Sequence, residues 1–127
     1  MKVFDVLIIG GGPIGIACGL EAKKKGLSYL ILEKGPIVNS LYNYPANMQF
    51  FSTSEKLEID EIPFIIKAAK PNRNDALEYY RRITISNKLN IHLFEKVESV
   101  KNNKTLFEVI TGKNKYCLLY TSPSPRD

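Results

Sequence analysis

The chain has 127 residues, of which 44% are apolar and 24% charged, a composition and length that suit one folded domain and leave no room for two separate cores. Its longest apolar runs, "VLIIG" and "YLILE", are far shorter than the roughly 20 residues that span a bilayer, and no secretory signal pattern opens the chain, so a cytoplasmic protein without a membrane partner is expected. The formal net charge of +5 comes from scattered lysines apart from Lys23, Lys24 and Lys25, which gives no nucleic-acid surface.

In chain order, Val3 to Ile9 is an apolar, β-branched run that ends in three glycines and reads as a strand. Ile14, Ala17, Leu20 and Ala22 follow on a helical pattern closed by Gly26, with Lys23 to Lys25 in the last turn, where cations meet the negative end of the helix dipole. "SYLILE", Ser28 to Glu33, reads as a second strand, parallel to the first, which completes a right-handed βαβ unit. From Lys34 to Phe64 three prolines and no sustained period predict a long excursion, with a short strand near Phe50. Clustered Glu58, Asp60 and Glu61 read as charges that solvate this excursion.

A second helix is predicted from Asn74 or Asp75, either of which can cap it, with Ala76, Leu77, Tyr80 and Ile83 on one face and an end before Asn90. "NIHLFEKVESV" and "TLFEVIT" then read as antiparallel strands around a turn at Asn102 and Asn103. The lone His92 is read as an ordinary core or solvent-facing strand residue, since the sequence shows it no cysteine or metal-ligand partner. Residues 117–127, "CLLYTSPSPRD", neither alternate nor repeat, and they resemble, residue for residue, one reading frame of a transposase adapter used in sequencing libraries. They are set aside as a non-native tail, which leaves Cys18 as the one native cysteine and no disulfide within the chain.

Gly10, Gly12 and Gly15 satisfy G-x-G-x-x-G: the first permits a sharp turn, the second brings backbone close to a pyrophosphate, and the third lets helix and strand pack. The N–H groups of the following helix point at the phosphates. Glu33, 18 residues beyond Gly15, ends the second strand, where a carboxylate accepts hydrogen bonds from a ribose diol. This context predicts dinucleotide binding on a Rossmann-like α/β fold, a βαβ unit with an antiparallel β-meander. An acid at that position disfavours a 2′-phosphate, so NAD and the adenosine half of FAD both remain open.

The form "DVLIIGGGPIGIACGLEAKKKG" with "LILEKG" resembles the FAD-binding segment of two-dinucleotide flavoprotein reductases of the thioredoxin-reductase type. More narrowly, "NSLYNYP", "FFSTSEKLEI" and "KPNRNDALEYYRRI" resemble the bacillithiol-disulfide reductase family, the YpdA-type flavoproteins of bacteria, over Lys2 to about Tyr116. The resemblance implies FAD as cofactor, with Gly10, Gly12, Pro13, Ile14 and Gly15 along its pyrophosphate, Glu33 at the adenosine ribose, Lys34 and Ser40 close by, and the Val97 backbone at the adenine. It implies hydride transfer from NADPH to FAD and onward to a small-molecule disulfide or another acceptor. Residues 1–116 would then be the N-terminal part of an FAD-binding domain, truncated before the NADPH-binding domain and C-terminal return segment, and not competent for turnover alone. The family members studied for thiol chemistry carry a cysteine, "GGGPCG", where this chain has Ile14, so no thiolate is available there. The C-x-x-x-x-C pair of glutathione-reductase-like enzymes is absent as well. Two further readings are a piece of an NAD-dependent dehydrogenase, which leaves "NSLYNYP" unexplained, and a basic non-enzymatic binding protein, which leaves the glycines unexplained.

Overall fold

The structure, a computed structural model, describes residues 3–39, 57–60, 62–66, 70–103 and 105–119. The expected strand near Phe50 and the acid Glu61 lie outside the described residues. The predicted first strand divides at Asp5 into β1 (Val3–Phe4) and β2 (Val6–Ile9), which enter different sheets. Asp5 makes the break: its N–H donates to Ser28 Oγ at 2.9 Å, and its carboxylate accepts the Ser28 N–H at 2.8 Å.

α1 (Pro13–Lys24) starts with proline at its first turn and ends in a Schellman motif. Gly26 at φ 71° donates to Lys23 O, and Leu27 N–H donates to Ala22 O. β3 (Tyr29–Leu32) lies parallel to β2, in register from Val6 with Tyr29 to Ile9 with Leu32. All four β3 residues are buried because layers cover both faces, which is why "YLIL" does not alternate.

The N-cap of α2 (Arg73–Ser86) is Asn72, two or three residues before the predicted cap. Asn72 accepts the Asp75 N–H, and Asp75 accepts the Asn72 N–H, each at 2.9 Å. This reciprocal capping box lies just outside the apolar pattern that marks the helix. Tyr79 and Tyr80 tie the excursion to α2 through hydroxyl bonds to Ile62 O at 2.6 Å and Leu57 O at 2.8 Å, and Phe64 stacks on the Tyr79 ring.

"NIHLFEKVESV" is not one meander strand. β4 (Ile91–His92) is the third parallel strand, beside β3, whereas β5 (Val97–Asn103) belongs to the second sheet. A positive φ of 55° at Phe94 makes the break between them. Asn102 and Asn103 pair with Phe107 and Leu106, so the chain reverses after them rather than at them. β6 (Leu106–Thr111) and β7 (Lys115–Leu119) complete an antiparallel meander, and β7 also pairs in parallel with β1. β7 thus runs into the segment read as a non-native tail: Cys117 is buried and pairs with Val3 and Glu108.

The parallel sheet, ordered β2-β3-β4, thus lies between two layers. On one side Ile8 and Ile31 pack with Ile16 and Leu20 of α1 and Tyr79, Tyr80 and Ile83 of α2. On the other, Leu30 and Leu32 pack with Phe4, Val109 and Tyr116 of the four-stranded sheet. Full burial of such a side chain contributes about 1.5–3 kcal/mol. Among the described residues no helix is long and apolar enough to cross a membrane.

Candidate functional site

At the carboxyl ends of the parallel strands, the turn between β2 and α1 is held by its neighbours. Gly10, at φ 109°, donates to Leu32 O at 2.8 Å, and Gly11 O accepts the Val38 N–H at 3.0 Å. A Cβ on Gly15 would stand 1.9 Å from Gly10 O, so glycine alone lets α1 begin this close to the strand. Gly12 is the N-cap of α1 and, having no side chain, makes no cap bond. The first-turn N–H groups are therefore available to an external anion, favoured by the helix dipole.

Glu33 closes the turn from the side. Although 4% exposed, its carboxylate is satisfied: Oε1 accepts the Gly11 N–H at 2.7 Å and Oε2 the Gly35 N–H at 2.8 Å. Each oxygen keeps a further lone pair for a ligand hydroxyl. The structure brings Gly10, Gly12, Glu33, Lys34 and Val97 to one cleft of about 580 Å³. Pro13, Ile14 and Gly15 follow in the first turn of α1, but the Ile14 side chain is 81% exposed and faces a neighbouring groove. Ser40 lies outside the described residues.

Four cleft residues were not assigned from sequence: Ile9 and Leu32 at the ends of β2 and β3, Asn39, and Lys96. Asn39 belongs to the excursion, which shows no period, and the neighbouring Val97 was the only signal for Lys96. Also missed was a polar cluster behind the cleft. Glu95, 4% exposed, accepts hydrogen bonds from Tyr116 Oη at 2.6 Å and Thr111 Oγ1 at 2.8 Å. His92 Nδ1 lies 3.2 Å from Glu95 Oε1 and 3.1 Å from Tyr116 Oη, so the lone histidine has partners after all. Glu95 is three residues on, in the turn that follows β4, and Tyr116 comes from β7, which sequence spacing does not show. Burial pushes the Glu95 carboxyl up, but the bonds from Tyr116 and Thr111 and the nearby His92 outweigh it and hold the group below its ordinary value.

A second, apolar groove of about 640 Å³ runs along α1, lined by Ile14, Ala17, Cys18 and Leu27 and by Leu57 and Tyr80. Cys18 is exposed, because Gly15 and Gly19 turn the Ile16–Leu20 face of the helix against the sheet. The acids of the excursion are also partnered rather than merely solvated: Glu58 accepts the Phe64 N–H, and Asp60 pairs with Lys24. Lys23 reaches Asn87 O at the end of α2, so the lysine run ties α1 to α2 and to the excursion as well as capping. No group of metal-ligating side chains occurs among the described residues.

Fold and site together define a three-layered dinucleotide-binding architecture, and residues 7–118 match the family described as pyridine nucleotide-disulphide oxidoreductase; the chain belongs to that family. It is similar to the solved bacillithiol disulfide reductase Bdr (YpdA) from Staphylococcus aureus, at 44% identity and a TM-score of 0.89, over 93% of this chain and 36% of that one. The Bdr (YpdA) structure from Bacillus cereus matches at 43% identity and a TM-score of 0.88, over 92% of this chain and 38% of that one. Bacilliredoxin reductase Bdr of Bacillus subtilis (strain 168) is 51% identical over 77 residues, 61% of this chain and 24% of that protein. These bear out the family likeness carried by "NSLYNYP" and its neighbours. The chain spans about a quarter to two fifths of the length of these relatives.

Proposed function

We propose that the chain is the FAD-binding part of a pyridine-nucleotide-dependent flavoprotein oxidoreductase, cytoplasmic, whose whole protein passes electrons from NADPH through FAD to a small-molecule disulfide or another acceptor. The observation that carries this reading is the meeting of an uncapped helix N-terminus at Gly12 with the buried Glu33 carboxylate across one cleft. A dinucleotide needs that pair of features, one for its pyrophosphate and one for its ribose.

FAD, when bound, supplies the redox chemistry, and the residues of this chain supply binding and orientation. Gly10 and Gly12 bring backbone to the pyrophosphate, and Pro13 presets the first turn so that the Ile14 and Gly15 N–H groups face it. Glu33 would hold the ribose with Lys34 near it, the family likeness adds Ser40, and the Val97 backbone would meet the adenine. Residues 1–116 form the native part of the FAD domain and 117–127 an added tail, of which Cys117 to Leu119 extend β7 through backbone pairing. The 127 residues hold a single G-x-G-x-x-G, which is assigned to FAD, so nicotinamide binding and turnover belong to protein outside them. With isoleucine at position 14, no thiol chemistry is assigned to the glycine turn.

The test is a fluorescence titration of the purified chain with FAD, NAD and NADP in turn, followed by an NADPH-consumption assay in the presence of FAD. FAD binding tighter than either nicotinamide dinucleotide, with no NADPH consumption, supports the proposal. NAD binding tighter than FAD would transfer the chain to the dehydrogenase reading, and NADPH consumption would refute the assignment of turnover to absent protein.

A further inference from the structure

Among the described residues, Glu95 is a buried carboxylate for which the proposed function has no task. Glu95 sits on the turn between β4 and β5, and three strands converge on its side chain: His92 from β4, Thr111 from β6 and Tyr116 from β7. A buried carboxylate is costly unless it is fully hydrogen-bonded, so this degree of satisfaction fixes where the group can lie.

The backbone of the same turn is pinned on its other side. Glu95 N–H donates to Glu33 O at 2.8 Å, and Phe94 N–H donates to Gly35 O at 3.2 Å. Phe94 holds φ 55°, a conformation that is strained for a bulky residue and persists where its surroundings impose it. The next two residues, Lys96 and Val97, line the cleft together with Glu33 and Lys34. In a dinucleotide site the acid ending the second parallel strand marks the nucleoside end, while the helix N-terminus marks the phosphate end.

We infer that Glu95 is a positioning residue for the nucleoside end of the cleft. Its carboxylate, clamped by Thr111 and Tyr116, sets the turn that places Lys96 and Val97 beside the bound nucleoside. The inference rests on the dinucleotide reading of the cleft and adds to it a residue that touches no ligand. Glu95 could instead serve only to join the two sheets, and the two roles differ in which ligand feels its loss.

The experiment titrates the full 127-residue chain with ADP and, separately, with inorganic pyrophosphate, using Glu95→Gln and the pair Thr111→Val and Thr111→Ser. Circular dichroism establishes that each variant is folded. A lost buried charge-assisted bond contributes about 1.5–3 kcal/mol, so Glu95→Gln is expected to weaken ADP about tenfold or more while leaving pyrophosphate unchanged. Thr111→Val should weaken ADP in the same selective way, and Thr111→Ser, which keeps the donor, should restore it. Equal weakening of both ligands, or ADP affinity unchanged in folded Glu95→Gln and Thr111→Val, overturns the inference. If Glu95→Gln fails to fold, the Thr111 pair decides. Wild-type chain that binds FAD but shows no loss in the variants defeats this inference alone, whereas wild-type chain that binds neither ADP nor FAD defeats the dinucleotide reading and this inference with it.

Discussion

Gly11 donates its N–H to Glu33 Oε1 at 2.7 Å, so the acid that ends β3 holds the glycine turn that follows β2. The second oxygen does the same for Gly35. The carboxylate shapes the cleft before any ligand arrives, and the ribose role proposed for it would rest on lone pairs left over from that task.

Glu33→Gln replaces one acceptor oxygen by an N–H₂ group facing a backbone N–H. The expected loss is about 1–3 kcal/mol of stability, the range for leaving a buried donor unmet. Urea denaturation of the variant beside the wild type checks it; an unchanged midpoint would show that the turn holds without the carboxylate.

Gly15→Ala drives a Cβ to 1.9 Å from Gly10 O, a backbone atom that cannot step aside without opening the turn. Strong destabilisation and loss of ligand binding are expected. Gly112→Ala is the matched control, since its Cβ would meet only Glu98 Oε2 at 3.5 Å, an ordinary contact, and its melting temperature should stay near the wild type's.

Asn72→Ala removes the side chain that accepts the Asp75 N–H and should cost about 1 kcal/mol, the usual worth of an N-cap. Asn74→Ala, at the cap position the sequence suggested, should cost less. Thermal melts of the two variants separate the assignments.

Stability should fall at both ends of the pH range. Glu95 lies below its ordinary value of 4.5, so its contribution is whole above that pH and is lost as pH falls through the lower folded value. Burial, and next Glu95, pushes the Tyr116 hydroxyl up to about 12; burial, and next Tyr79, does the same for Tyr80. Their contribution is whole below 10.0 and is lost as pH rises toward about 12. Denaturant midpoints across pH check both arms, and Tyr116→Phe should shrink the alkaline one.

The βαβ unit was legible because its signals are local: an unbroken apolar run, glycines at fixed offsets, and an acid at the next strand's end. The second sheet was half legible. Leu106–Thr111 alternates enough to be seen, but the division of the chain at Asp5 and Phe94 depends on partners many residues away, Ser28 in one case and Gly35 in the other. The packed face of α1 was misjudged for a related reason. Gly15 and Gly19 choose it by permitting close approach, and a pattern that counts apolar side chains assigns glycine no weight. Glu95 stood in plain sight, yet nothing in "FEKVE" says that a threonine and a tyrosine from later strands will meet it.

The most direct measurement is the visible absorbance spectrum of the 127-residue chain after incubation with FAD and desalting, with Gly12→Val treated alongside. The account predicts a flavin spectrum retained by the wild type and lost in the variant, whose side chain would stand between the backbone and the pyrophosphate. Folded wild-type chain without flavin, or equal retention by the variant, would contradict the claim that the glycine turn and Glu33 form a dinucleotide site.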